Sequence, residues 1–467
     1  MVKQEPQKKG MPKAAKWILG VVAVVAVLAI FCVSFVFSST YFHKNAVALT
    51  VGEHEISPAE FNYYFREAYY SISQDSGDAS SYLSYMTDYI KEEAVLTATN
   101  VYATYDAAIA DGYALNEEEL AAVDQEIAEL TDTAKAMGAP NANQLLASVY
   151  GKGCDTKNYR KFREMYTLCA RYTADKTESQ DTSAAALDAY YAENADDLDT
   201  VSYRQFFLPL QGTMEETKAL ADSILTAVKA DAAAMDSYAL EYASEANREH
   251  YETTENPTLL QRINKASATT EVADWLFDAA RKDGDTTYFE NSDATGLYLV
   301  RFGSRDTGDY NTVNVRHILV SVSDATDADA KKAAQEKAQS YLEEFQNGDK
   351  SEESFAALAT AYSEDNAEDG GLYENVYMGQ MVNAFEEWCF DAARKVGDSG
   401  IVETEYGYHV MYFAGEGETY RNLNTKNEIL SNFYENWVEE LTANYEVVQD
   451  EFGMGFVNTT TESSYSY

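Results

Sequence analysis

Cysteine, proline, histidine and positive charge are all scarce in this chain of 467 residues. It holds 4 Cys, 6 Pro and 5 His, and 35 Lys plus Arg against 78 Asp plus Glu. So few cysteines exclude a disulfide framework, and no metal-ligand spacing of Cys or His occurs. Beyond Cys32, which lies in an apolar run, only Cys154, Cys169 and Cys389 remain; a Cys154–Cys169 bridge stands open, with no support in the sequence. The formal net charge of −43 makes the body a poor binder of nucleic acid or anionic surfaces, which carry the same sign. A solubilising surface is the simpler explanation of that charge.

One long hydrophobic run is present. Trp17 to Phe37 is 21 residues without charge or proline, enough to cross a hydrocarbon core of ~30 Å as a helix. Lys3, Lys8, Lys9, Lys13 and Lys16 precede it, which keeps the N-terminus cytoplasmic and exports the rest of the chain. A cleaved signal peptide usually has an apolar region of only ~7–15 residues, and Phe31 before Cys32 is a poor match to a lipoprotein signal. The expected arrangement is a basic tail (1–16), a single-pass anchor (17–38) and an extracytoplasmic body, at the cell membrane.

From Ala46 the pattern reads as a small strand pair turning at Gly52, then helices. Pro58 opens the first helix from its tolerated first turn. Amphipathic stretches run at 59–73, 81–111, 116–136, 142–149, 155–175 and 183–195. Asn116 with Glu119 approximates a capping box. These define an all-α domain over 45–200, completed by a helix at 421–444 and a returning strand at 445–448, that is, by 420–450. Residues 451–467 are expected to form a disordered tail.

Between these parts lies a repeat of domain length. Trp388-Cys-Phe-Asp-Ala-Ala-Arg-Lys-Val-Gly-Asp398 has a near twin at Trp275-Leu-Phe-Asp-Ala-Ala-Arg-Lys-Asp-Gly-Asp285. The flanking strands match as well: VSYRQFFLPL from Val201 with VNVRHILVSV from Val313, and TGLYLVRF (295–302) with YGYHVMYF (406–413). Each copy, 201–306 and 312–416, reads as α+β in the order strand-helix-helix-strand-helix-strand-strand. In the second, helices are expected at 326–347, 351–362 and 380–395. That order suggests a mostly antiparallel four-stranded sheet covered by helices. His317 and His409 of the second copy stand where the first has Gln205 and Tyr298, which suggests one working copy and one retired copy.

The second copy resembles the parvulin family of peptidyl-prolyl isomerases. The matching residues are RHILV (316–320), YSED (362–365), GGL (370–372), GQMVNAFEEWCF (379–390) and VGDSGIVETEYGYHVMYF (396–413). Upstream, ALTVGEHEIS, IADGYALNEEEL, YGKGCDTKNYRKFREM and AYYAEN look like the helical chaperone domain of the PrsA and SurA foldases. The resemblance implies a multidomain α+β foldase that isomerises X-Pro bonds and assists unfolded or partly folded exported polypeptides. It implies no cofactor and no metal, since bond rotation needs neither. His317 and His409 would share a hydrogen-bond network, with Thr404 joining it and Asp365 placed beside the substrate carbonyl. Met381 and Phe385, four apart and so on one helix face, would line the proline-ring pocket with Tyr377. Two readings of the histidines stand, proton transfer or support of the pocket's shape, and support is favoured. The family usually has Asp after its paired glycines, whereas Leu372-Tyr373 come after Gly371 here. A holdase or scaffold that uses the fold only to bind peptides is the alternative to an active enzyme.

Overall fold

The structure is a computed structural model and describes residues 39–76, 84–324 and 326–459. The expected basic tail and anchor (1–16 and 17–38) lie outside the described residues. Among the described residues, no helix is long and apolar enough to cross a membrane. The strands are β1 (Leu49–Val51), β2 (His54–Ile56), β3 (Thr200–Pro209), β4 (Leu259–Ile263), β5 (Thr286–Glu290), β6 (Gly296–Asp306), β7 (Asn311–Ser321), β8 (Leu372–Val376), β9 (Ser399–Thr404), β10 (Gly407–Thr419) and β11 (Val447–Gln449). The chain forms two compact units, 39–180 with 430–459, and 181–429.

The first unit is helical. Its helices are Pro58–Ser76, Thr87–Ala110, Glu117–Ala136, Ala142–Val149 and Thr156–Glu178. Local chemistry sets their starts. Asn116 accepts from the Glu119 N–H at 2.9 Å while the Glu119 carboxylate accepts from the Asn116 N–H at 2.8 Å, a complete capping box. Tyr63, Tyr64, Phe65 and Phe162 fill the core, with Tyr63 stacked on Phe162 at 5.0 Å. The expected returning strand is present: β11 pairs antiparallel with β1, whose other edge carries β2. Cys154 and Cys169 are both free and buried, so no bridge joins them, and burial pushes each thiol up to about 12.

The expected disordered tail is corrected over its first residues. Glu451–Met454 is helical, with the Asp450 carboxylate accepting from the Gly453 N–H at 2.8 Å. Gly453 packs so closely that a Cβ there would lie 1.7 Å from the Val47 carbonyl oxygen. Val457 enters the core, and the Asn458 N–H donates to Asn62 at 2.8 Å. The polar end of the chain hid this clasp, because its apolar residues are too few and too short-spaced to show a period. Residues 460–467 lie outside the described residues.

The second unit is α+β and holds both repeats. The helix Ala184–Leu198, expected with the all-α domain, belongs here instead. Arg305 of β6 binds it, through Asp199 at 2.5 Å and Asp196 at 2.7 Å. The two sheets have the same order, β4-β3-β6-β5 and β8-β7-β10-β9, with every pairing antiparallel. Alternation sorts the β7 side chains. Ile318 and Val320 pack under the helices Ala328–Asn347 and Glu352–Tyr362, while Val313 and Val315 face the short helix Asn383–Cys389. His317 shares parity with the second set.

That short helix corrects the expected helix at 380–395. It stops at Cys389, and Asp391 starts a turn by accepting from the Ala393 N–H at 2.9 Å. Arg394 folds back over the Trp388 ring at 4.0 Å and donates to the Trp388 carbonyl at 3.0 Å. Asp398 then accepts from the Lys395 N–H at 2.9 Å. The first repeat does the same: Asp278 accepts from Ala280 N–H, Arg281 lies 4.7 Å over Trp275, and Asp285 accepts from Lys282 N–H. The most similar segment of the repeat is therefore a turn device, not a longer helix.

Candidate active site

β7 and β10 pair in register, with Met411 opposite His317 and His409 opposite Leu319. The two histidines are thus diagonal neighbours on one sheet face. Both are buried, at 1% and 5% exposure. Their Nδ1 atoms are 3.0 Å apart and their rings are nearly parallel, 5.3 Å between centroids. Thr404 Oγ1 meets His409 Nε2 at 2.8 Å and also accepts from the Tyr406 N–H at 3.2 Å. On the other side, the Asp365 carboxylate lies 3.4 Å from His317 Nε2, which is buried and has no aligned hydrogen bond.

These contacts fix the protons. A carboxylate only accepts, so Asp365 favours a hydrogen on His317 Nε2. His317 Nδ1 then accepts from His409 Nδ1–H. That leaves His409 Nε2 to accept from the Thr404 hydroxyl, whose oxygen already serves Tyr406. Burial holds the His317 imidazole below its ordinary value, against the opposing pull of Asp365. Burial and then His317 lower His409 to about 4. The pair is neutral at neutral pH.

The paired glycines carry the chain past this network. Gly371 has φ +68°, and a Cβ there would fall 2.1 Å from the His317 carbonyl oxygen. Its own carbonyl accepts from the His317 N–H at 2.8 Å. Ser363 sets the acidic loop: its hydroxyl accepts from the Leu319 N–H at 3.1 Å and donates to the Asp365 carbonyl at 2.5 Å.

Above the histidines lies Phe385, buried, with its ring edge-on to both imidazoles at 5.6 and 5.4 Å. Met381 is half-buried and packs on the same cluster, beside Val382, Trp388 and Tyr373. His317, His409, Thr404, Asp365, Phe385 and Met381 are therefore brought together. Tyr377 is placed otherwise: its ring contact is with Tyr420, at 4.8 Å, and its N–H donates to Gln380 at 3.1 Å. Tyr373 has a part in the site that the sequence alone does not assign. Its hydroxyl donates to Asp365 at 3.0 Å and its ring stands 5.1 Å from His317. The missing Asp after the glycines marks that place as altered: Leu372 stands there, and Tyr373 follows it. Cys389 is buried against the sheet and its thiol is pushed up to about 12, which suits packing and not nucleophilic chemistry.

Residues 297–415 match the family model of the PPIC-type PPIASE domain. That segment is a parvulin-type domain. Among curated proteins, the chain is similar to foldase protein PrsA 1 of Listeria innocua, 34% identical over 108 residues, which are 23% of this chain and 31% of the relative. It is also similar to foldase protein PrsA 1 of Listeria monocytogenes, 29% identical over 167 residues, 33% of this chain and 51% of the relative. The match thus spans a third to a half of these relatives' length. Among solved structures, PrsA from Bacillus subtilis is 14% identical and covers 80% of this chain and 92% of its own, with a TM-score of 0.27, too low to carry an argument. The first repeat has the strand order of the second without the site. Gln205 donates to Thr269 at 2.8 Å and its buried Oε1 has no partner, and Tyr298 packs on Phe207.

Proposed function

We propose that this chain is a membrane-anchored extracytoplasmic peptidyl-prolyl cis-trans isomerase and chaperone for exported polypeptides. The observation that carries the reading is the Thr404–His409–His317 chain with the Asp365 carboxylate beside it, beneath Phe385 and Met381, in a parvulin-type domain. Rotation about a peptide C–N bond meets a barrier of roughly 18–20 kcal/mol, and uncatalysed exchange takes ~10–100 s. The work is to bind the twisted amide better than the planar one. Phe385 and Met381 hold the proline ring. Their apolar wall disfavours the polar planar amide, whose resonance is lost on twisting. The histidines, engaged with each other through Nδ1, keep the floor of the pocket in shape, and the Asp365 carboxylate sets the field beside the substrate carbonyl.

Support for the chaperone part is in the helical unit. Tyr89 and Leu96 stand half-exposed on one stripe of the helix Thr87–Ala110. A cavity of about 290 Å³ lined by Tyr102, Tyr105, Ile109, Leu115 and Met165, with His54, Lys161 and Glu164 also in its wall, offers further, partly apolar surface to unfolded clients. The anchor rests on the 17–37 run and the lysines before it. The alternative, a holdase whose parvulin copy no longer turns over, rests on Leu372 standing where Asp is usual. Exchange kinetics of an X-Pro peptide with the full chain separate the two. The expected result is acceleration that falls about tenfold or more, ~1.4 kcal/mol of barrier, in Phe385→Ala and Met381→Ala. His317→Gln should lose less, because glutamine keeps part of the hydrogen bonding. With the fold intact by circular dichroism, no acceleration by the unsubstituted chain would favour the holdase. Abolition by His317→Gln alone would give the imidazole a direct chemical part.

A further inference from the structure

The first repeat reaches into the rim of the second repeat's pocket. β4 and β8 each carry one extra residue against their neighbours, as register shifts between Val201 and Tyr203 and between Val313 and Val315 show. At both bulges a residue other than glycine takes a left-handed conformation, Arg262 at φ +51° and Asn375 at φ +53°. The bulge re-aims the Arg262 side chain, as such features do. Its Nη2 donates to Glu386 at 3.0 Å, and Glu386 is the next residue after Phe385 on the pocket helix.

Glu386 has a second partner. Its other carboxylate oxygen accepts from the Gly379 N–H, within the turn Tyr377–Gln380 that leads into Met381. The Gln380 N–H closes that turn onto the Tyr377 carbonyl at 3.2 Å; Gly379 holds φ +92°, which suits glycine, and a Cβ there would lie in ordinary contact with the Arg262 side chain, 3.4 Å away. The same turn is held from the linker between the repeats, where the Tyr310 hydroxyl accepts from the Met378 N–H at 3.2 Å. We propose that Arg262, in the repeat without a site, is a positioning residue for proline binding in the other repeat: through Glu386 it holds the turn that aims Met381 over Phe385.

The ion pair is partly exposed, 41% at Arg262, so its worth to stability is small. Its contribution is geometric. Glu386, at 16% exposure, has one oxygen committed to Arg262 and the other to the Gly379 N–H.

The inference rests on the isomerase reading, and the test separates them. Steady-state exchange of an X-Pro peptide is measured with the full chain, unsubstituted and as Arg262→Gly, Arg262→Lys, Glu386→Gln and the Arg262→Gly/Glu386→Gln double variant. Glycine suits φ +51°, so Arg262→Gly removes the side chain without straining the backbone. The expected result is a KM raised about threefold or more in Arg262→Gly with kcat within about twofold, a loss of binding without loss of turnover. Arg262→Lys should recover part of it. The double variant should be no worse than either single one, since both break one link. An unchanged KM in Arg262→Gly, or effects that add in the double variant, would overturn the positioning role while leaving the isomerase reading standing. No exchange activity in the unsubstituted chain would remove the isomerase reading, and this inference with it.

Discussion

At the scale of single residues, the site is built on two imidazoles that burial keeps neutral. Sequence showed the histidines because the chain has so few and two of them fell at matching places in a repeat. It did not show Tyr373 or Arg262, whose parts depend on a bulge and on a neighbouring repeat that no local pattern encodes. The lowered imidazoles have a consequence for stability. His409 titrates at about 4 in the fold against an ordinary 6.5, so between those values the unfolded chain takes up a proton that the folded chain refuses. Stability is thus fully present above 6.5 and is lost as the pH falls through about 4. For this one group the loss is about 3 kcal/mol. His317, also lowered, adds in the same direction. Urea midpoints at pH 7, 5.5 and 4 should fall more steeply in the unsubstituted chain than in His317→Gln/His409→Gln. Parallel slopes would mean that the pair takes up protons in the fold as readily as in the unfolded chain.

At the scale of elements, the helices of the first unit were legible because their apolar period is long and their caps are explicit, as at Asn116. The strands of the second repeat were legible from alternation and the glycine turn. The end of the pocket helix was not. Asp391-Ala-Ala-Arg-Lys has a helical composition, yet Asp391 caps a turn and Arg394 folds back onto Trp388. The short clasp at Glu451–Met454 was hidden for want of length. Two glycines show how space and φ combine. Gly371 and Gly112 both have positive φ, +68° and +84°, but a Cβ meets the His317 carbonyl oxygen in the first case and nothing within 4 Å in the second. Gly371→Ala should therefore cost roughly 2–4 kcal/mol and distort the His317 strand, whereas Gly112→Ala should cost about 1 kcal/mol. Equal costs by denaturant unfolding would show that β8 can shift away without loss.

At the scale of the whole molecule, one strand order occurs twice, and on the proposed reading the two copies divide the labour. The histidine network, the glycine pair and the Phe385–Met381 wall are together in the second copy alone. The first copy keeps the same strand order, the same bulge and the same Trp–Arg turn, and it reaches its neighbour through Arg262. That division was half legible in the sequence: the absence of a site in the first repeat could be read from Gln205 and Tyr298, whereas its contact with the second could not. The charge bears on partners at this scale too, since a chain with 78 acidic against 35 basic residues is expected, on the proposed reading, to meet polypeptides through apolar patches and not through phosphate. The central claim is that the second repeat is the working isomerase, and exchange kinetics on the two repeats as separate folded fragments test it most directly. Fragment 312–416 should accelerate X-Pro exchange, with a KM above that of the full chain because Arg262 is gone, and fragment 201–305 should give none. Equal activity in both, or none in a folded 312–416, would contradict that division of labour.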